Sequence, residues 1–150
     1  MGIIALRNDQ PYILVASATV RYTPLARWVA YGVGRHFVIK RLADANRLLT
    51  REAVARLDAV GACFHGRYYD VAFEWSEDRM YCSELVWKTH DRALGIEIGK
   101  LEKIRDFNLT DPTVAKLMKQ RYGNAVPMDE PVISPVSRFD SPLLIQVAAR

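Results

Sequence analysis

Two short apolar runs near the start of the chain, with a polar break between them, constrain the fold most. The runs cover residues 3–6 and 12–16, and Arg7-Asn8-Asp9-Gln10-Pro11 separates them. A polar break of this kind is typical of a hairpin turn, so the pattern predicts two antiparallel strands. Residues 19–22 continue the extended chain, and alternation over residues 36–42 predicts a third strand. The sequence therefore begins with antiparallel sheet.

Four helices are predicted among and after these strands. Thr23-Pro24 and Asp111-Pro112 each place an N-cap residue before a proline at the first helical position. Thr50 is expected to cap another helix, which Gly61 stops. The four predicted helices cover about residues 25–31, 50–60, 82–94 and 112–122.

The order of the elements favours an α+β fold. Residues 71–75 alternate and predict a further strand, and the proline-containing part after Gly123 predicts an extended tail. Strands and helices that interleave irregularly favour α+β over a parallel sheet of repeated βαβ units. No repeat or linker divides the sequence, so residues 1–150 are expected to form one domain.

Charge and hydropathy exclude several classes of protein. The 21 Lys and Arg exceed the 17 Asp and Glu by four and form no basic block, so no nucleic-acid partner is expected. No apolar run reaches the roughly 18 residues of a membrane span. The start Met1-Gly2-Ile3-Ile4 lacks the basic region of a signal peptide. The sequence as written predicts a cytoplasmic domain, and a periplasmic or exported one if translation starts further upstream.

The two cysteines, Cys63 and Cys82, do not stand at metal-ligand spacing with each other or with a histidine. Neither a metal site nor a cofactor is therefore predicted. The sequence leaves open whether the two thiols form a disulfide.

Cys82 follows the polar residues Ser76-Glu77-Asp78 and is predicted to lie in the first turn of a helix. Unpaired N–H groups and the helix dipole favour an anion there, which increases the thiolate fraction of a cysteine. The same N–H groups can hold the oxyanion of a tetrahedral intermediate. The pattern fits a thiol nucleophile, although a cysteine before an amphipathic helix is more often a small core residue.

The segment Tyr81-Cys82-Ser83-Glu84-Leu85-Val86-Trp87, preceded by Tyr69-Asp70 and Trp75-Ser76-Glu77-Asp78, closely resembles the YiiX/YaeF-like family. These bacterial proteins are circularly permuted, papain-like amidases of the NlpC-type cysteine hydrolase superfamily. The resemblance runs in register from Met1 to about Pro142. Further matches are Val20-Arg21-Tyr22-Thr23-Pro24-Leu25 with Trp28, Arg121-Tyr122-Gly123, Ser134-Pro135 and Phe139-Asp140.

The resemblance implies a papain-like, NlpC-like fold in which an antiparallel sheet packs against helices in circularly permuted order. It implies that Cys82 is the nucleophile and that a histidine on an early strand and a polar residue, usually Glu, on the next strand precede it. The implied activity is hydrolysis of an amide bond through a thioacyl intermediate. Relatives such as lecithin retinol acyltransferase carry out acyl transfer with similar chemistry.

Two of the three catalytic positions depart from the family pattern. The family's histidine stands in a Ser-His-x-Gly context whose glycine matches Gly2, so the histidine would fall directly before Met1. Residues 1–150 are therefore expected to be truncated at the amino terminus relative to the family. Val15 occupies the Glu position and can neither orient an imidazole nor accept its proton. Ser17 is expected on the same strand face and could offer a weak hydrogen bond.

None of the three histidines is predicted to replace the missing one. His90 lies on the same predicted helix as Cys82, about 12 Å further along its axis by helical rise. His36 and His65 match no family position. Tyr81, Ser83 and Ser17 are predicted to line the site around Cys82.

Three functions follow from these observations. The first is a cysteine amidase or peptidase-like hydrolase, acting on a small-molecule, peptide or lipid-like amide or ester. The second is a catalytically degenerate member that serves as a binding or structural module. The third is an acyltransferase on lipid or amine substrates. Loss of an amino-terminal strand would leave a sheet edge unpaired, which predicts a homo-oligomer.

Overall fold

The computed structural model describes all 150 residues. Nine strands and six α-helices make up the fold. The strands are β1 (Ile3–Arg7), β2 (Gln10–Ala16), β3 (Val20–Pro24), β4 (Val38–Leu42), β5 (Tyr68–Tyr69), β6 (Arg79–Met80), β7 (Glu102–Lys103), β8 (Pro131–Val132) and β9 (Leu144–Ala149). The helices are α1 (Leu25–Ala30), α2 (Ala45–Leu48), α3 (Arg51–Cys63), α4 (Cys82–Leu94), α5 (Pro112–Tyr122) and α6 (Pro135–Phe139).

Strands β1, β2 and β3 form the antiparallel sheet that the opening hairpin predicts. Asn8 and Asp9 connect β1 to β2 with positive φ angles of 51° and 59°, a conformation that asparagine and aspartate tolerate. Ile3 pairs with Leu14 across this hairpin, and Val15 pairs with Arg21 of β3. The two predicted strands are confirmed, each within two residues at its ends.

Helix α4 packs beside α3 beneath this sheet and forms the centre of the main core. Leu14, Val20, Phe64, Met80 and Leu85 are all buried there.

Gly61 permits the close approach of α3 to the sheet, because a Cβ at this position would lie 2.7 Å from Cδ2 of Leu14. The prediction that Gly61 stops the helix is wrong. The glycine lies inside α3, which continues to Cys63, and close packing explains its presence.

Two local predictions fail because tertiary contacts override the local pattern. Thr23 does not cap α1, since it pairs with Ile13 in the sheet and Pro24 takes the N-cap position. Residues 71–75 do not form a strand. Phe73 has a φ of 53°, which ends any extended pairing, and the hydroxyl of Tyr122 donates a hydrogen bond to the Ala72 carbonyl.

The segment after Gly123 is more ordered than the predicted extended tail. It contains α6, and β9 pairs antiparallel with β4 over the whole length of β4. Leu144 faces Leu42 in this pairing, next to a second small core around Ile98. His36 precedes β4 rather than lying within it. None of the helices is both long and apolar enough to cross a membrane.

Candidate active site around Cys82

Cys82 is the first residue of α4 and is partly exposed. The N-cap residue Tyr81 is extended, with φ −97° and ψ 166°, and no side chain caps the first-turn N–H groups of the helix. These groups therefore remain available beside the thiol. The unpaired N–H groups and the positive end of the helix dipole favour a negative charge at this position.

Tyr81 anchors the start of α4 to the interior. Its side chain is buried, its hydroxyl accepts a hydrogen bond from the Ile133 N–H at 3.0 Å, and its ring meets the Phe73 ring edge-on at 5.1 Å. Burial raises the pKa of the phenol above its ordinary value. The phenol is thus buried in the core, while its backbone sets the direction in which α4 begins.

A buried ion pair on α4 holds this start in place. The Glu84 carboxylate accepts a hydrogen bond from the Tyr81 N–H at 3.2 Å and lies 2.7 Å from Nζ of Lys88. Both side chains are almost fully buried. Burial raises the pKa of Glu84 to about 7, and the neighbouring Lys88 ammonium opposes that rise. Loss of either partner would leave a buried charge without compensation.

Lys88 also ties α4 to the segment that leads into Tyr81. Its Nζ donates to the Ser76 carbonyl at 2.6 Å and to the Glu77 carboxylate at 3.2 Å. Glu77 further accepts from Arg92 and Arg67. The hydrogen bond from Arg92 and the charge of Lys88 hold the pKa of Glu77 at about 2. The segment before Cys82 is therefore fixed by charge-assisted hydrogen bonds.

Arg138 of α6 contacts the first turn of α4 through its guanidinium. It is buried, with 3% of its surface exposed, and its Nη1 donates to the Ser83 carbonyl at 3.4 Å. Its Nε has no partner, and Arg138 forms no ion pair with any carboxylate. Burial lowers the pKa of Arg138 to about 10, which keeps the guanidinium charged at neutral pH.

The histidines are placed as structural or surface residues. His90 stands two turns beyond Cys82 on α4, where its Nδ1 bonds to the Val86 carbonyl at 2.8 Å. Burial lowers the pKa of His90 to about 4, so the ring is neutral. His65 stacks on Tyr22 with ring centroids 5.9 Å apart, and the exposed His36 lies against the Arg150 carbonyl.

The remaining predicted site residues divide between core and surface. Val15 and Ser83 are buried, while Ser17 is exposed beyond the end of β2. Tyr81 and Ser83 thus lie next to Cys82 because they are its neighbours in the sequence. Ser17 is not on the strand face that the alternation predicted.

An apolar cavity of about 1220 Å³ opens further along α4. Val86 and His90 of α4 line it together with Arg138 and with residues of β1, α1 and β4. Cys82 is not among the lining residues. This cavity extends the face of α4 that begins with Cys82, because residues four apart share one side of a helix.

Sequence comparison agrees with this geometry. Residues 1–148 match the family described as permuted papain-like amidase enzyme, YaeF/YiiX, C92 family. The chain belongs to this family. A relative, the uncharacterized protein YiiX of Escherichia coli K12, is 40% identical over 147 residues, which cover 98% of this chain and 71% of YiiX.

A solved structure shows that the permuted papain-like amidase fold is shared. The crystal structure of metalloprotein YiiX from Escherichia coli O157:H7 matches with a TM-score of 0.94 at 39% identity, over 99% of this chain and 81% of that chain. The family resemblance and the α+β papain-like fold are therefore confirmed. In this chain, no group of three or more His, Cys, Asp or Glu side chains is positioned to hold a metal ion.

Two features of the site are absent from the sequence-based predictions. The Glu84–Lys88 pair has the i,i+4 spacing of a helical ion pair, so the spacing itself was a usable signal. Arg138 carries no such signal. A single arginine in a short segment is typical of a surface residue, and the contacts that bury Arg138 involve residues distant in sequence, among them Ser83 and Gly99.

Proposed function

We propose that this protein is a cysteine amidase in which Cys82 is the nucleophile and forms a thioacyl intermediate. The observation that carries the proposal is the position of Cys82 in the first turn of α4, where the Tyr81 side chain does not occupy the backbone N–H groups beside the thiol. Membership of an amidase family supports the reaction class. The exposure of the thiol gives a substrate access to it.

The chemistry follows from this arrangement. The thiolate sulfur attacks the amide carbonyl carbon, and the carbonyl π electrons move to oxygen. First-turn N–H groups of α4 stabilise the resulting oxyanion. The C–N bond then breaks as the amine leaves with a proton, and the acyl group remains on Cys82 as a thioester. Water hydrolyses the thioester, releasing a carboxylic acid and regenerating the thiol.

The proton steps need a base that residues 1–150 do not place at the thiol. His90 is two turns away and bonded to Val86, and Val15 has no acceptor. We propose that the base is a histidine directly before Met1, as the family's Ser-His-x-Gly pattern implies. In-frame Ser-His codons upstream of the Met1 codon would support this assignment, and a stop codon there would overturn it.

A binding or structural role is the second candidate, because none of the three histidines contacts Cys82. The YiiX relative is titled a metalloprotein. Since the side chains of this chain do not cluster as a metal site, no step is assigned to a metal.

The experiment that separates these candidates is acylation by p-nitrophenyl acetate, followed by intact mass and peptide mapping. We expect an acetyl adduct on Cys82 that Cys82→Ser reduces by at least about a thousandfold. Cys63→Ser is the matched control and should keep the wild-type rate. Adduct formation on Cys63 at an equal rate, or none on Cys82, would favour the binding module. Product analysis with an added acceptor amine distinguishes hydrolysis from acyl transfer.

A further inference from the structure

Arg138 is a buried cation without a counterion, and this calls for an explanation. A guanidinium removed from water costs free energy unless an anion or several hydrogen bonds compensate it. Arg138 has one long hydrogen bond, to the Ser83 carbonyl at 3.4 Å, and its Nε has no partner. The other buried cation of the chain, Lys88, is fully engaged with Glu84, Glu77 and the Ser76 carbonyl.

Two local features of the backbone hold Arg138 close to α4. Ser134 caps α6 by accepting a hydrogen bond from the Ser137 N–H at 3.0 Å. Gly99, with φ of 86°, lets the chain pass directly over Arg138, because a Cβ at Gly99 would lie 3.0 Å from the Arg138 nitrogen. Gly99 thus lies against the backbone and Cγ of Arg138, while the guanidinium reaches the Ser83 carbonyl in the first turn of α4.

The charges around this guanidinium leave Cys82 as its partner. Glu84 is neutralised by Lys88, and His90 is neutral and bonded to Val86. The buried Asp70 accepts from the Ala72 N–H through Oδ1, its Oδ2 has no hydrogen-bond partner, and it forms no ion pair with Arg138. Ser83, whose carbonyl the guanidinium of Arg138 contacts, directly follows Cys82 in the first turn of α4.

We propose that Arg138 stabilises the thiolate of Cys82, so that its guanidinium and the first-turn N–H groups of α4 together form an anion site. This inference rests on the proposed nucleophile and adds a residue that acts on it. In the reaction, the Arg138 guanidinium would stay beside the Cys82 sulfur until the thiolate attacks the carbonyl carbon. The Cys82 thiolate is therefore the anion that compensates the buried charge of Arg138.

Alkylation of the two cysteines in one protein tests the proposal. In the wild type, we expect iodoacetamide to modify Cys82 at a lower pH than Cys63, with peptide mapping to separate the two. Arg138→Met keeps an unbranched side chain in place of the aliphatic part of the arginine and removes the charge. It should slow alkylation of Cys82 at pH 7 by about tenfold, the size expected for losing one nearby charge, and leave Cys63 unchanged. Arg138→Lys should retain most of the rate.

The ratio of the iodoacetate rate to the iodoacetamide rate is a second readout, because iodoacetate is anionic and reports local positive charge. In the wild type, this ratio should be higher at Cys82 than at Cys63, and Arg138→Met should lower it at Cys82 alone. This wild-type comparison keeps the proposal testable even if Arg138→Met fails to fold. Equal ratios at both thiols would overturn the role of Arg138.

The two proposals fail in distinguishable ways. Fast alkylation of Cys82 at neutral pH in both the wild type and Arg138→Met would overturn the role of Arg138, whereas the proposal that Cys82 is the nucleophile would stand. Alkylation of wild-type Cys82 that follows the same pH profile as Cys63 would contradict both.

Discussion

The two cysteines occupy opposite ends of two helices that pack together. Cys63 is the last residue of α3 and is exposed, whereas Cys82 is the first residue of α4 and is partly buried. The end of a helix presents carbonyl groups and the negative end of the dipole, and the start presents N–H groups and the positive end. The same side chain is thus placed where negative charge is disfavoured in one case and favoured in the other.

The surroundings increase this difference. No buried cation is bonded to the end of α3 at Cys63, while Arg138 lies over the start of α4. The start of α4 is also held by the Glu84–Lys88 pair, whose carboxylate accepts the Tyr81 N–H. The comparison teaches that helix polarity and a rigid first turn, rather than the presence of a thiol, mark a candidate nucleophile.

The largest expected effect on stability comes from breaking the pair that holds the start of α4. Lys88→Met leaves the buried Glu84 carboxylate without its cation and should reduce the free energy of unfolding by about 3–5 kcal/mol, measured by urea denaturation. The double variant with Glu84→Gln should recover part of this loss. Lys88→Met should also bring the Cys82 alkylation profile closer to that of Cys63, because the first turn of α4 loosens.

An exposed pair on the same protein is the matched control. Arg47 and Asp44 lie 2.9 Å apart with more than half of each side chain exposed. Arg47→Met should cost less than about 1 kcal/mol. Equal costs for Lys88→Met and Arg47→Met would show that burial of the Glu84–Lys88 pair does not matter.

The next effect concerns the far end of α4. The neutral form of His90 is favoured in the folded state, where the pKa is about 4 against an ordinary value of about 6.5. The folded protein therefore binds fewer protons between these values, and its stability falls as the pH decreases from about 6.5 to 4. The loss has an upper limit of about 3 kcal/mol.

His90→Gln keeps a donor for the Val86 carbonyl and removes this titration, so urea midpoints across the pH range should fall less steeply than in the wild type. Glu84 titrates with the opposite sign, because its raised pKa of about 7 makes stability fall as the pH rises from about 4.5 to 7. Only the difference between variant and wild type isolates His90. The exposed His36→Gln should leave the slope unchanged, and an unchanged slope in His90→Gln would refute the assignment.

The smallest effect contrasts the two helix starts. The Thr50 hydroxyl accepts a hydrogen bond from the Ala53 N–H and caps α3, whereas no side chain caps α4 in this way. Thr50→Ala should cost about 1 kcal/mol of stability without changing alkylation of Cys82. Thr50→Ser should be close to wild type. A change in the Cys82 rate would mean that the start of α4 depends on α3.

Sequence patterns predicted the parts of the fold that local chemistry determines. The hairpin of β1 and β2, the Thr50 cap, the start of α4 at Cys82 and the Asp111-Pro112 start of α5 all follow from residues close together in the chain. The position of Cys82 at a helix start was therefore available from the sequence.

Features that depend on distant residues were not predictable in the same way. Strand β9 exists because it pairs with β4, about a hundred residues earlier in the chain. Phe73 leaves the extended conformation although its neighbours alternate, and its ring packs against Tyr81. The burial of Arg138 likewise needs α6 to pack on α4. Local patterns contain none of these contacts.

The most direct measurement is the rate of iodoacetamide alkylation of Cys82 as a function of pH, with Cys63 in the same molecule as the internal reference. We predict that Cys82 is alkylated faster than Cys63 at neutral pH, because the start of α4 favours the thiolate. A profile for Cys82 that coincides with that of Cys63 would contradict the assignment of Cys82 as an activated nucleophile.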